Sequence, residues 1–345
     1  MQAPSHAPSD VVLDVRGLSK FFTVGGGGPF GLGGPALRVH AVEDVTFTLR
    51  RGQILALVGE SGSGKSTIAR LLARLYPVTA GRVLLHGQDV TAIQGRRDLL
   101  RYRSTVQMVF QDPFGSLNPV KTIGRHIMRP LQIYRRPGEE RGGIQQVHDL
   151  LRTVGLTPPE EVALKFPHQL SGGQRQRVAF ARALAVQPEV ILADEPISML
   201  DVSIRMGILN MMAHLRDTRG VSYLYITHDL ASARYIADET LVLYAGHLVE
   251  AASSDELMDE PLHPYTRLLL SAVPDPRRGL DKRHVEARGE IPTVINPTPG
   301  CRFANRCPHV MNVCRAVTPP LIEIRPNRRV RCHLYDAPAP AASIS

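Results

Sequence analysis

One eight-residue segment, Gly59-Glu60-Ser61-Gly62-Ser63-Gly64-Lys65-Ser66, constrains this chain more than any other. It fits G-x-x-x-x-G-K-[ST] at every position. The short apolar run Gln53–Val58 before it reads as a buried parallel strand. Ser66–Tyr76 after it has Ile68, Leu71, Leu72 and Leu75 at helical spacing. Strand, glycine loop and helix in that order make an anion cradle. The glycines let successive N–H groups face one point, and the helix start adds its positive end. Gly59, Ser61, Gly62, Gly64, Lys65, Ser66 and Thr67 are therefore the candidate phosphate contacts. Lys65 reaches toward the outer phosphates, and the Ser66 hydroxyl is placed to ligate Mg²⁺.

Such a loop needs an acidic partner on a second strand. Val190-Ile191-Leu192-Ala193-Asp194-Glu195 supplies it, an apolar strand that delivers Asp194 at its C-terminal tip. Asp194 is a candidate for holding Mg²⁺ through water, and Glu195 for polarising an attacking water as general base. Leu170-Ser171-Gly172-Gly173-Gln174 opens a helix running to about Ala185, which makes a second anion-binding helix start. One nucleotide does not need two cradles from one chain, but it can use one from each of two chains.

These segments, in this order, resemble the ATP-binding-cassette (ABC) ATPases, whose signature motif has the form of Ser171–Gln174. On that resemblance Gln111, after the strand Val106–Phe110, stands at the Q-loop and contacts the Mg²⁺ and water network. Ser198-Met199-Leu200-Asp201 resembles the D-loop, with Met199 where many members have Ala, so Asp201 joins the ATP contacts. His228, after the strand Leu224–Ile226, matches the histidine that contacts the γ-phosphate. Phe22 is the candidate for stacking on adenine. The implied fold is α/β: a P-loop NTPase (RecA-like) core with an antiparallel β subdomain and an α-helical subdomain, plus a small irregular C-terminal extension. The implied cofactors are ATP and Mg²⁺. Two cassettes would pack head to tail around the nucleotide, as a homodimer or with a paralogue.

Residues 1–258 are expected to form the cassette, with the Pro-punctuated stretch 113–169 as its helical subdomain, and 259–345 a separate extension. Residues 1–10 read as a frayed terminus and Gly25–Gly34 as a flexible loop. No internal repeat is present. His263-Pro264-Tyr265-Thr266, Leu268 to Pro274, Gly289 to Pro292 and Gly300 to Pro308 resemble the tail of oligopeptide/dipeptide-type importers, a subfamily that includes importers of nickel and of oligosaccharides. The implied partners are two membrane permeases and, indirectly, an extracytoplasmic solute-binding protein. The alternative class is a cassette ATPase acting on ribosomes or nucleic acid.

Composition weighs against that alternative only lightly. The formal charge is +9, from 41 Lys and Arg against 32 Asp and Glu. Only five of the cations are Lys, at positions 20, 65, 121, 165 and 282, so 36 are Arg. No clustered basic helix interleaved with aromatics is present, so no nucleic-acid partner is expected. The chain opens on no basic segment followed by an apolar one. No run approaches about 18 apolar residues. On these grounds a soluble, cytosolic chain is expected, and the importer resemblance implies the cytoplasmic face of the membrane, held peripherally.

All four cysteines, Cys301, Cys307, Cys314 and Cys332, fall late, spaced C-x5-C-x6-C-x17-C. Four thiolates in a Pro-rich segment can staple a region with little core of its own. The subfamily resemblance implies a [4Fe–4S] cluster; zinc or metal-free thiols stay open. His309 and His333 are read as surface residues.

Overall fold

Strand β3, Ile54–Val58, is apolar at all five positions and buried at all five. Because successive side chains alternate faces, such a strand must be covered on both sides. The computed structural model, which describes residues 10–25, 36–134, 143–271 and 294–336, shows both covers. Leu55 and Leu57 face one core with Leu13, Val45 and Phe47, while Ile54, Ala56 and Val58 face another with Val178, Phe180, Ile208 and Met212.

The first core lies under a four-stranded antiparallel sheet. It is built from β1 (Val11–Val24), β2 (Leu37–Arg50), β4 (Ala80–Leu85) and β5 (Gln88–Asp89), in the order β2-β1-β4-β5. The main sheet places β3 between β8 (Ser222–Thr227) and β9 (Glu239–Tyr244), both parallel to it. β7 (Val190–Asp194) and β6 (Val106–Val109) continue the parallel side. β10 (His247–Ser253) turns back antiparallel on β9. A hairpin from the C-terminal region, β11 (Ile322–Arg325) and β12 (Arg328–Val330), then extends the edge to give β11-β12-β10-β9-β3-β8-β7-β6.

Helix α1 (Lys65–Leu72) follows β3. α2 (Arg96–Thr105) leads into β6, and α3 (Pro113–Ser116), α4 (Ile123–Ile133), α5 (Ile144–Thr153) and α6 (Pro159–Leu164) fill the stretch before the second glycine pair. α7 (Gly172–Leu184), α8 (Val202–Arg219), α9 (Leu230–Ile236) and α10 (Ser254–Asp259) accompany β7 to β10. α11 (Pro264–Ser271) and α12 (Asn312–Ala316) belong to the C-terminal region.

The C-terminal region is fastened by buried arginines. Arg328 pairs with Glu250 at 3.1 Å, both side chains fully buried. Arg331 donates to the Leu248 carbonyl and to Asp44. The His40 N–H donates to the Val294 carbonyl, which ties the region to β2 as well. The hairpin therefore forms part of the main sheet, where its sequence looked irregular; strands of four and three residues carry too little alternation to read.

Other local expectations shift. Helix α1 stops at Leu72, Arg74 takes a left-handed φ of 55°, and Leu75 turns outward to 47% exposure instead of joining the buried face. Val11–Val15 alternates weakly and reads as a short strand, but β1 runs on to Val24. His333 is buried, not a surface residue, and bonds the Val317 carbonyl. His309 is exposed as expected. Residues 1–9, the glycine stretch from 26 to 35 and the Gly289–Pro292 segment, apart from their flanks, lie outside the described residues.

Two buried histidines give the region around β10 an acid-sensitive edge. Burial, helped by Arg267, lowers the pKa of His263 to about 3, and its Nδ1 accepts the Tyr265 N–H at 3.0 Å. Burial, then Arg302, Arg331 and His40, lowers that of His247 to about 2. Both values are depressed, so the folded chain holds neutral rings while the unfolded chain takes up protons below about pH 6.5. Stability should fall as pH drops from about 6.5 toward 3, by about 2 kcal/mol per histidine between pH 7 and pH 5. Urea midpoints at the two pH values measure this. His263→Gln should flatten the slope, and a slope unchanged by that substitution contradicts it.

Candidate nucleotide site

The glycine loop is held where no side chain fits. A Cβ on Gly59 would meet the Leu243 carbonyl oxygen at 2.2 Å. On Gly64, whose φ is +108°, it would meet the Ala41 carbonyl oxygen at 2.4 Å. Gly246 donates its N–H to the Ser63 carbonyl at 2.8 Å. The loop is thus wedged between β2 of the small sheet and the β9–β10 turn of the large one. The Lys65 ammonium donates to the carbonyls of Gly59 (2.7 Å) and Glu60 (2.8 Å). Burial lowers the Lys65 pKa, against the attraction of Glu195, Asp194 and Glu60. The Ser63 hydroxyl is buried with no hydrogen-bond partner among the described residues. A desolvated cation, an orphaned hydroxyl and a loop closed to side chains fit a polyphosphate.

The acidic side sits opposite. The Ser66 hydroxyl donates to Asp194 Oδ1 at 3.0 Å, across 128 residues of sequence. Burial pushes the Asp194 carboxyl above its usual range, and adjacent Glu195 adds to that, while Ser66, Arg70 and Lys65 pull it down. A hydroxyl and a buried carboxylate in contact suit Mg²⁺, which takes few protein oxygens and fills its shell with phosphate and water.

Glu195 lies in the left-handed region at φ 44°, rare for a residue with a Cβ. Its N–H bonds the Ile226 carbonyl of β8, and its own carbonyl accepts from the Ser198 hydroxyl. That backbone turns the side chain between two others. Gln111 Nε2 donates to Glu195 Oε2 at 2.8 Å, and His228 Nδ1 stands 3.5 Å from the same oxygen. Residues from three different strand ends thus converge on one carboxylate.

The second glycine pair is built apart from the loop. Ser171 caps α7: its hydroxyl accepts the Gln174 N–H, and the Gln174 side chain accepts the Ser171 N–H at 3.0 Å. Gly173 lies against Ile204 of α8, where a Cβ would come within 2.4 Å of Cγ2. Gly172 lies beside Leu200, and Asp201 starts α8 by accepting backbone N–H groups from Ile204 and Arg205. Phe22 packs edge-on against Tyr76, ring centres 5.7 Å apart, with Lys20 over its ring.

The four thiols do gather. Cys301 donates its N–H to the Cys314 carbonyl, and all four cysteines are free of disulfides. Burial, with smaller contributions from Cys314, Cys332 and Cys307, pushes the Cys301 thiol up to about 11 against a backbone hydrogen bond at Phe303. Yet among the described residues no group of three or more His, Cys, Asp or Glu side chains is arranged to hold a metal ion. The expectation of an iron–sulfur or zinc site on Cys301, Cys307, Cys314 and Cys332 is not supported.

The sequence reading missed what grips the loop from the C-terminal side. The Tyr265 hydroxyl accepts the Glu60 N–H at 2.9 Å, and Arg306 forks onto the Glu60 carboxylate at 2.9 and 3.1 Å. A charged residue among the loop glycines was the only local sign that a counter-charge was needed.

A P-loop, a strand-end acid pair and a separate serine-capped helix that opens on two glycines define the chain as a P-loop ATPase. Comparison with known proteins narrows the class. The family described as ABC transporter matches residues 42–198, and the oligopeptide/dipeptide transporter C-terminal region matches 249–314. A probable peptide ABC transporter ATP-binding protein of Sinorhizobium fredii is 44% identical over 341 residues, 98% of this chain and 93% of that one. An oligopeptide transport ATP-binding protein of Bacillus subtilis is 43% identical over 332 residues, 95% and 99% of the two chains. A solved dimeric ATP-binding cassette in a post-hydrolysis state with ADP and phosphate superposes with a TM-score of 0.61 at 27% identity, covering 70% of this chain and 98% of that one. The chain belongs to the ATP-binding proteins of ABC transporters, and it is an ATPase.

Gly64 tests the cradle. Gly64→Ala puts a Cβ on the Ala41 carbonyl in a backbone conformation alanine avoids, at a cost of roughly 1–3 kcal/mol. Binding of a fluorescent ATP analogue should weaken at least about tenfold, and the melting temperature should fall. Unchanged affinity would show that the loop geometry is not the binding determinant.

Proposed function

We propose that this chain is the ATP-hydrolysing subunit that energises an importer of oligopeptides or a related solute such as nickel or an oligosaccharide. The observation that carries it is the Glu195 carboxylate, held between Gln111 and His228 beside the Ser66–Asp194 pair under the glycine loop. Peptide transport comes from the printed names of the relatives and from the match of the C-terminal region.

In this reading Gly59, Ser61, Gly62, Gly64, Lys65, Ser66 and Thr67 hold the phosphates, and Phe22 takes the adenine. Ser66, Asp194 and Gln111 would hold Mg²⁺, which would supply positive charge to the phosphate oxygens. Glu195 orients and deprotonates the attacking water, Gln111 fixes the carboxylate's direction, and His228 contacts the γ-phosphate. Ser171, Gly172, Gly173, Gln174 and Asp201 face a second cassette, whose nucleotide they complete. ATP favours the closed pair because it touches both halves, and hydrolysis removes that difference. The second cassette is a copy of this chain or a paralogue.

Residues 1–258 form the cassette, 113–169 its helical part, and 259–345 the extension. No helix among the described residues is long and apolar enough to cross a membrane. Two permease subunits supply the pathway, with this chain peripheral on the cytoplasmic face and a solute-binding protein outside. Half-exposed or more, Val120, Leu164, Met199 and Val202 leave apolar surface for such partners.

Glu195→Gln should keep ATP binding, accumulate a nucleotide-bound dimer and lower turnover at least about a hundredfold, read by size exclusion and phosphate release. Wild-type turnover in that variant removes the assigned base. Co-purification with a permease pair supports the transport reading, whereas recovery with ribosomes or DNA overturns it.

A further inference from the structure

The C-terminal region touches the glycine loop at Glu60. Glu60 is the only acidic residue in the eight-residue phosphate motif. A carboxylate there is a like charge beside a polyphosphate, and it competes for Lys65, which it attracts. Arg306 answers it with two hydrogen bonds in fork geometry, from a side chain only 7% exposed. The Tyr265 hydroxyl holds the backbone of the same residue.

Neither group is on a loose tether. The Arg306 guanidinium lies over the rings of Tyr244 and Phe303, at 5.8 and 6.0 Å. Tyr244, Tyr265 and Phe303 pack edge to face with centres 4.6 to 5.5 Å apart. The segment around Arg306 is wound by successive turns, Ala304 N–H to the Cys301 carbonyl and Arg306 N–H to the Phe303 carbonyl. Four residues earlier, Arg302 bonds the Ala245 carbonyl, on the turn whose Gly246 grips Ser63, and the Glu43 carboxylate of β2. One short segment of the C-terminal region therefore reaches both the loop and its support.

We propose that Arg306 is a positioning residue for ATP: it neutralises Glu60 and draws its carboxylate away from the phosphate cradle, so the C-terminal region is a working part of the nucleotide site. Its arginine sets how strongly the loop attracts phosphate, without touching phosphate itself. Any event that moves the Cys301–Cys307 segment would then change nucleotide affinity.

The inference rests on the P-loop reading above, and full-length protein tests both. Wild-type chain that fails to bind a fluorescent ATP analogue with Mg²⁺ would sink that reading. With binding established, Arg306→Gln should raise the dissociation constant about three- to tenfold, because Glu60 is released to face the phosphates. Glu60→Gln should tighten binding about two- to fivefold, since Arg306 is then unpaired. The double variant should return to within about twofold of wild type, and the effect of Arg306→Gln should shrink at high salt. A merely structural arginine predicts no rescue. Unchanged affinity in Arg306→Gln, or a double variant as weak as that single one, overturns the inference. Should Arg306→Gln not fold, Arg306→Lys carries the same test: about two- to fourfold weaker binding, relieved by Glu60→Gln, supports it, and unaltered binding overturns it.

Discussion

The close approach of the Gly59–Ser66 backbone to two carbonyl oxygens is the constraint on which the rest of the structure depends. The Leu243 carbonyl belongs to β9 of the large sheet and the Ala41 carbonyl to β2 of the small one. Each leaves room for a hydrogen and not for a methyl group. The phosphate loop is therefore the place where two sheets of different topology meet. Its shape cannot change without moving one of them. This is how a loop of small residues becomes rigid enough to aim several N–H groups at one anion.

The acidic half of the site follows from the same meeting point. Strands β3, β7 and β8 are parallel neighbours, so their C-terminal ends lie on one edge. The candidate groups lie there: the glycine loop after β3, Asp194 and Glu195 at the end of β7, His228 after β8. Ligand sites at the carboxyl ends of strands are the rule for such sheets. Local detail then assigns the two acids different settings. Asp194 is still in the strand, buried, and bonded to Ser66. Glu195 leaves the strand through a left-handed turn that lifts its side chain toward Gln111 and His228. Burying two adjacent carboxylates is unfavourable, and only a site that receives cations gains from it.

Where chemistry is local in sequence, the residues were legible without coordinates. The loop, the Asp194–Glu195 strand end and the Ser171 cap each lie within a few residues, and a motif records them whole. The short apolar runs of β3 and of Leu224–Ile226 in β8 were also plain, because such runs bounded by glycine or polar residues have few alternatives. Three kinds of feature were hidden. α2 is so polar that only Tyr102 of its ten residues is buried, so no apolar face announced it. The β11–β12 hairpin is too short for periodicity. The Arg306–Glu60 pair spans 246 residues, and no spacing rule connects positions that far apart. The cysteines are the opposite case: their spacing is conspicuous, yet no metal-holding group stands among the described residues.

The arginine excess is the feature whose meaning the structure alters most. Thirty-six arginines on a chain of charge +9 could coat a surface that attracts nucleic acid. Several instead face inward. Arg328 is fully buried on Glu250, Arg331 reaches Asp44 and the Leu248 carbonyl, and Arg302 and Arg306 are under 10% exposed. Arg182 and Arg177 cap carbonyls of the helical region, and burial lowers the pKa of both. A planar fork with several donors can satisfy carbonyls and carboxylates that a loop-rich region leaves without sheet partners, which a lysine does less well. The C-terminal region has few strands and a small core, so it is joined to the cassette by hydrogen-bonded cations. Its arginine contacts fall on the carboxylates of Glu43, Asp44, Glu60 and Glu250. Charge that counts toward the net balance is thus spent inside the molecule, and much of it is unavailable as a surface field.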